Sequence, residues 1–85
     1  MELMREIKNS FTKIEKLFTN EELLRFKDTS KENLYLYHFG LGTWIRNNLL
    51  YPEKIVLYAL FVESGVSSPD DMSSFIIRKF HEHVR

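Results

Sequence analysis

Three residues in the middle of the chain could form a site for an anionic group. His38, Gly42 and Arg46 follow one another at intervals of four residues, which places them along one side of a helix. The glycine leaves a recess between the imidazole and the guanidinium. Guanidinium groups bind carboxylates and phosphates through paired hydrogen bonds. The spacing therefore indicates either a ligand site or a polar contact inside the fold.

Two carboxylates later in the chain could supply the internal contact. Asp70 and Asp71 follow a Ser-Pro pair, which is typical of a helix start. If that helix packs against the one that carries Arg46, we expect the guanidinium to meet these carboxylates, with His38 beside them. We favour this internal tie because buried polar groups usually find partners within the fold. Asn47 and Asn48 are expected to bond the last carbonyls of their helix, and a ligand contact beside Arg46 is the alternative.

No residue pattern predicts catalysis or a metal. The chain has no cysteine, no G-x-S-x-G sequence and no glycine-rich phosphate loop. On a helix, His81 and His83 point about 200° apart and cannot share one ion. Asp70 and Asp71 also project in different directions, which argues against an acid/base pair. We therefore predict no catalytic residue, no metal and no cofactor.

The composition limits the class of protein. A chain of 85 residues is long enough for one core, so we predict a single domain, 1–85. Twelve Lys and Arg residues balance twelve Asp and Glu residues, which argues against a concentrated basic surface for nucleic acid. The charged N-terminus lacks the apolar region of a signal peptide, and the longest apolar run, 55–62, is too short to cross a membrane. We expect a cytoplasmic protein without a membrane partner.

Apolar residues recur at helical spacing, which predicts an all-α fold, a compact bundle of four to five short helices. The first stripe begins at Leu3, and its helix is expected to end near Phe18. Capping boxes of the form T-x-x-E start at Thr19 and at Thr29, and each predicts a new helix. The last helix is expected to run from Pro69 to about residue 83.

Residues 33–50 contain Gly40 and Gly42, each of which costs about 1 kcal/mol relative to alanine inside a helix. The apolar phase is the same before and after them. We therefore predict one helix through both glycines, where a neighbouring element approaches closely, with a chain break at Gly40 as the alternative.

The apolar run 55–62 suits a buried strand as well as a helix. Pro52 and Glu53 before it and Gly65 after it favour a helix. Because this helix is apolar on all sides, we predict that it is the central and most buried element.

Most aromatic rings are expected in the core, and a few at the surface. The predicted core rings are Phe11, Phe18, Phe39, Trp44, Tyr58, Phe61, Phe75 and Phe80. The predicted surface rings are Tyr35, Tyr37 and Tyr51. Tyrosines near Arg46 would suit a protein-binding surface.

Two stretches resemble a bacterial domain of unknown function. Residues 37–49 read YHFGLGTWIRNNL, and residues 68–77 read SPDDMSSFII. The family pattern is H-x-G-L-G-x-W-[IL]-R-N-N followed by P-D-D-M-S, and the resemblance covers residues 34–80. The matching residues are His38, Gly40, Gly42, Trp44, Arg46, Asn47, Pro69, Asp70, Asp71, Met72 and Ser73. The chain departs at residues 49–52, where the family has a loop with tryptophan and glycine. The resemblance implies a bacterial or phage origin and no established activity.

Three functions compete. The first is a small non-enzymatic module that binds another protein, as an inhibitor, immunity factor or regulator. The second is a phosphate- or nucleotide-binding protein, or a small enzyme, that uses His38, Arg46 and Asp70. The third is a nucleic-acid-binding protein. Small size, balanced charge and the lack of a catalytic set favour the first.

Overall fold

The computed structural model describes residues 2–51 and 55–85, and no strand occurs among them. The elements follow in the order α1 (Glu2–Glu15), α2 (Asn20–Asp28), a 3₁₀ segment (Lys31–Tyr37), α3 (Leu41–Ile45), a π turn (Arg46–Leu50), α4 (Val56–Glu63) and α5 (Pro69–Val84). The all-α prediction is confirmed. None of the described helices combines the length and apolar character needed to cross a membrane.

The first stripe forms as its spacing predicts. Leu3, Ile7, Phe11 and Ile14 are all buried along one face of α1. The helix ends at Glu15, three residues before the predicted end. Its last turn is tightened by i→i+3 hydrogen bonds, which satisfy carbonyls that have no partner in a regular α-helix.

One of the two predicted capping boxes is present. The Glu22 amide donates to the Thr19 hydroxyl, and the Thr19 amide donates to the Glu22 carboxylate at 2.8 Å. The second box, from Thr29 to Glu32, is wrong. The Thr29 hydroxyl instead donates back to the Arg25 carbonyl, so it ends α2 rather than starting the next segment.

Replacing Thr19 by alanine is expected to cost about 1 kcal/mol of unfolding free energy, measured by urea denaturation. The bonds from Thr19, its backbone amide first, hold the pKa of Glu22 below its ordinary value. The ionised Glu22 carboxylate therefore contributes to the free energy of unfolding at neutral pH. This contribution is lost as the pH falls through the lowered pKa. Alanine keeps the backbone amide that contributes most, so we expect only a partial rise of the Glu22 pKa in the variant, read from an NMR titration. Thr12→Ala on the exposed side of α1 is the control, and an equal loss there would contradict the capping role.

The helical structure is interrupted at Gly40. The prediction of one helix over 33–50 is therefore wrong, and the alternative, a break in the helix at Gly40, is right. The 3₁₀ segment ends at Tyr37, and α3 begins at Leu41 with Gly40 as its N-cap. The apolar phase persists because side chains three residues apart share a face of a 3₁₀ helix. Leu34 is therefore buried and Tyr37 half-buried, although no α-helix connects them to α3.

The central element is α5, and the prediction for the apolar run 55–62 is wrong in this respect. Within α4 only Leu57 and Phe61 are buried, while Val56 and Val62 are exposed. An apolar composition favours burial, but it does not determine which elements pack against the helix. This eight-residue helix packs mainly against α1, α5 and the π turn. The predicted start at Pro52 and Glu53 lies outside the described residues.

Helix α5 contacts every other element of the fold. Its 16 residues are long enough to pass all of them. Its buried apolar residues are Met72, Ile76, Ile77 and Phe80. The predicted start at Pro69 is confirmed, although the Ser68 side chain makes no capping hydrogen bond.

The predicted stop after α4 is confirmed. Gly65 has φ of +94°, a conformation that side-chain-bearing residues rarely adopt. The Val66 amide donates to the Phe61 carbonyl, and the Gly65 amide donates to that of Val62. This pair of bonds is a Schellman motif, which directs the chain from α4 towards α5.

Candidate functional site

Arg46 is the centre of a polar cluster between the π turn and α5. Its side chain is only 18% exposed. Nη1 donates to the Ser73 hydroxyl at 2.9 Å, and Nη2 donates to the Thr43 hydroxyl at 3.0 Å and to the His38 carbonyl at 3.3 Å. Nε lies 3.5 Å from an Asp70 carboxylate oxygen. The guanidinium therefore joins three parts of the chain, as expected of an internal tie.

Gly42 provides the room for this guanidinium. A Cβ atom at this position would lie 3.0 Å from Arg46 Nη1, 3.5 Å from the Tyr37 carbonyl oxygen and 3.7 Å from Ile77 Cδ1. The recess predicted beside Gly42 thus exists, and the side chain of Arg46 itself fills it. Gly40 differs, since a Cβ atom there would meet nothing within 4 Å.

His38 belongs to the cluster mainly through its backbone. Its carbonyl accepts from Arg46, while its ring Nε2 lies 4.0 Å from the Asp70 carboxylate. This separation is too long for a hydrogen bond, and the attraction requires a protonated imidazole. The ring packs edge-on against Phe39, with centroids 5.1 Å apart.

Ser73 was not among the predicted site residues, although it matches the family pattern. Its hydroxyl is fully buried, accepts from Arg46 and donates to the Asp70 carbonyl at 3.0 Å. A serine three residues after a helix-starting aspartate can bond back in this way, which was the available signal. Thr43 was missed as well, because its i−3 spacing to Arg46 carries no distinctive pattern.

Two predicted members lie outside the cluster. Asp71 is exposed and lines a separate cleft with Gly65 and Arg78. Asn47 is exposed as well. Its neighbour Asn48 makes the predicted bond to a helix carbonyl, that of Trp44, at 2.9 Å.

Three exposed apolar side chains lie within and just after the 3₁₀ segment, next to the polar cluster in sequence. Tyr35, Leu36 and Phe39 are 69%, 65% and 82% exposed, and we call these three residues the apolar patch. The prediction of Phe39 as a core ring is therefore wrong, because the chain break at Gly40 turns it outwards. Tyr51 is exposed as predicted. Tyr37 is not a surface ring, because it packs edge-on against the buried Phe26 at 4.8 Å.

His81 is fully buried in the last turns of α5. It lies one helical turn after Ile77, on the inward face, and packs edge-on against Phe26. Neither ring nitrogen has a hydrogen-bond partner among the described residues. Residues 2–51 and 55–85 contain no group of three or more His, Asp or Glu side chains arranged to hold a metal ion.

Replacing His81 by leucine is expected to stabilise the domain by about 1 kcal/mol, a rise of several degrees in melting temperature. The substitution removes two buried polar atoms and puts an apolar side chain of similar size in their place. Calorimetry at neutral pH measures the change. The control is His83→Leu, at an exposed position, with little effect expected. A clear fall for His81→Leu would contradict the prediction.

No curated protein and no solved structure matches the chain. A protein family described as Domain of unknown function (DUF6794) matches residues 5–84, from the first turn of α1 to the end of α5. The match includes both the polar cluster and the apolar patch. The chain therefore belongs to this family of domains of unknown function.

Proposed function

We propose that this domain is a small, non-enzymatic protein-binding module whose docking surface is the apolar patch. The observation that carries the proposal is the exposure of Tyr35, Leu36 and Phe39, between 65% and 82%. Aromatic residues are enriched at the centres of protein interfaces, and exposed apolar clusters commonly mark such contacts. Binding would remove these side chains from water, which supplies the free energy of association.

The polar cluster fixes the backbone next to the apolar patch. Arg46 donates to the His38 carbonyl, one residue before Phe39, and is itself bonded to Ser73 in the central helix. These bonds fix the turn that carries Phe39 before a partner arrives. A preformed surface loses less conformational entropy on binding. Arg46 is accordingly a positioning residue in this proposal.

A phosphate or nucleotide site at the same cluster is less well supported. The Arg46 guanidinium already contacts two hydroxyls, a carbonyl and the Asp70 carboxylate. An incoming phosphate would have to displace Asp70 and overcome its negative charge. Nucleic-acid binding is disfavoured by the net charge of zero.

The proposal is tested with the double variant Leu36→Asp, Phe39→Asp. The wild-type chain is immobilised, and bound proteins from a lysate of the source cells are identified by mass spectrometry. We expect the double variant to lose the bound protein, because two carboxylates cannot be buried at an apolar interface without a large cost. Leu24→Asp, at an α2 position of 60% exposure, is the matched control and should retain it.

Two results would contradict the proposal. One is equal capture by the double variant, with folding confirmed by circular dichroism. The other is a clear thermal shift of the wild-type chain with nucleotides or oligonucleotides, which would favour the competing functions. The bacterial or phage origin, the cytoplasmic location and the role as an inhibitor, immunity factor or regulator stay predictions of the sequence.

A further inference from the structure

A groove lies between the 3₁₀ segment and α5, beside the apolar patch. It has a volume of about 230 Å³. Leu34 and Ile77 provide its apolar lining, and both are buried. Tyr35 lines the groove and also belongs to the apolar patch, so the two surfaces are continuous.

The charged residues of this groove have one sign. Lys31 and Arg78 line it together with His38, and none of its described lining residues is a carboxylate. Among the ion pairs within residues 2–51 and 55–85, none involves Lys31 or Arg78. The guanidinium of Arg78 lies 5.4 Å from the centre of the Phe75 ring, which supports it from one side. Lys31 also lines a cleft with Asp28 and Glu32, and Arg78 lines the cleft of Asp71, yet neither cation forms an ion pair with these carboxylates in the described structure.

We infer that this groove binds an acidic segment of the partner protein, with a carboxylate side chain of that segment between Lys31 and Arg78. The inference rests on the proposed function, because neighbouring apolar side chains of the same segment would pack on the apolar patch. Guanidinium groups bind carboxylates through two parallel hydrogen bonds, and partial burial in the groove strengthens them. Opposite charge also steers the partner to this side of the domain.

The apolar lining distinguishes this ligand from a phosphate chain. Leu34 and Ile77 offer nothing to the successive phosphates of a nucleic acid, whose binding depends on several cations along one track. A peptide can present charged and apolar side chains within a short distance of each other. It therefore matches two cations beside Leu34, Tyr35 and Leu36 better than a polyanion does.

The test uses a library of random 12-residue peptides displayed on phage and selected on the full chain. We expect the selected peptides to be enriched in Asp and Glu next to Leu or aromatic residues. The strongest peptide is then synthesised with a fluorophore, and its affinity is measured by fluorescence polarisation. Replacing its acidic residues by the corresponding amides should weaken binding about tenfold.

Substitutions in the domain locate the contact. Arg78→Ala and Lys31→Ala should each lower the affinity for the same peptide about tenfold. Added salt should lower the affinity of the wild-type chain for it. Lys16→Ala, at an exposed cation in the turn after α1, is the matched control and should leave the affinity unchanged. Circular dichroism of each variant separates loss of binding from loss of folding.

The outcomes separate this inference from the proposed function. Peptides that depend on Leu36 and Phe39 but lack acidic residues, and that bind Arg78→Ala equally well, would overturn the inference and leave the function standing. The selection is repeated on the double variant Lys31→Ala, Arg78→Ala. If no peptide is enriched more strongly on the wild-type chain than on this variant, the inference is overturned as well. Displacement of the peptide by inorganic phosphate or a short oligonucleotide would overturn it in favour of a phosphate site.

Discussion

Arg46→Ala will lower the melting temperature of the domain by about 10–20 °C, which corresponds to a loss of about 2–3 kcal/mol. The substitution leaves the fully buried Ser73 hydroxyl without its donor and empties the space above Gly42. The ion pair itself contributes little, because the Asp70 carboxylate is 66% exposed. Most of the loss therefore comes from buried polar groups and lost packing.

Two further variants separate these contributions by calorimetry. Asp70→Asn should cost less than about 0.5 kcal/mol, because it removes only the exposed partner. Ser73→Ala should cost about 1–2 kcal/mol, because it leaves a guanidinium donor unsatisfied. An unchanged melting temperature for Arg46→Ala, combined with loss of the bound protein, would show that Arg46 acts on the partner rather than inside the fold.

Gly42→Leu is expected to cost more than about 3 kcal/mol, and Gly42→Ala about 1 kcal/mol or less. A methyl group at this position presses on Arg46 Nη1 from 3.0 Å, although alanine favours the helix by about 1 kcal/mol. A leucine side chain must displace the guanidinium or push Ile77 of the central helix away.

Gly40 supplies the matched control for this pair. It lies two residues earlier, and a Cβ atom there would meet no atom within 4 Å. We expect Gly40→Leu to cost far less than Gly42→Leu, measured by urea denaturation. Equal stability of Gly42→Leu and Gly42→Ala would contradict the close packing described at this position.

Local signals in the sequence predicted the elements whose ends depend on their own residues. The stripe from Leu3 gave α1, the Thr19 capping box gave α2, and Pro69 gave the start of α5. Each of these depends on residues fewer than five positions apart, so a single sequence contains the information. The stop at Gly65 was predictable for the same reason.

The break at Gly40 and the position of α4 could not be predicted in this way. A 3₁₀ segment and an α-helix place residues three apart on the same face, so the apolar pattern of residues 33–50 fits both. The burial of α4 depends on which neighbours cover it. That is decided by tertiary packing, in which the longer α5 occupies the centre.

The candidate site was predictable through its charges and not through its neutral polar groups. Arg46 and Asp70 attract attention because opposite charges at corresponding places on two helices indicate a contact. Ser73 had only the weaker signal of its spacing from Asp70, and neither the Thr43 hydroxyl nor the burial of His81 is indicated by the sequence. The apolar patch was hidden because Phe39 has the same sequence pattern as a core ring until the chain break is known.

The central position of α5 has a consequence for synthesis on the ribosome. Every other element packs on this helix, and it is the last described part of the chain to be made. At about 5–20 residues per second, residues 1–68 wait about 1–3 s for residues 69–84. During that interval the surfaces that α5 covers on the earlier elements, part of the apolar stripe of α1 among them, stay exposed. We therefore expect the nascent chain to expose apolar surface of the kind that chaperones bind until α5 emerges.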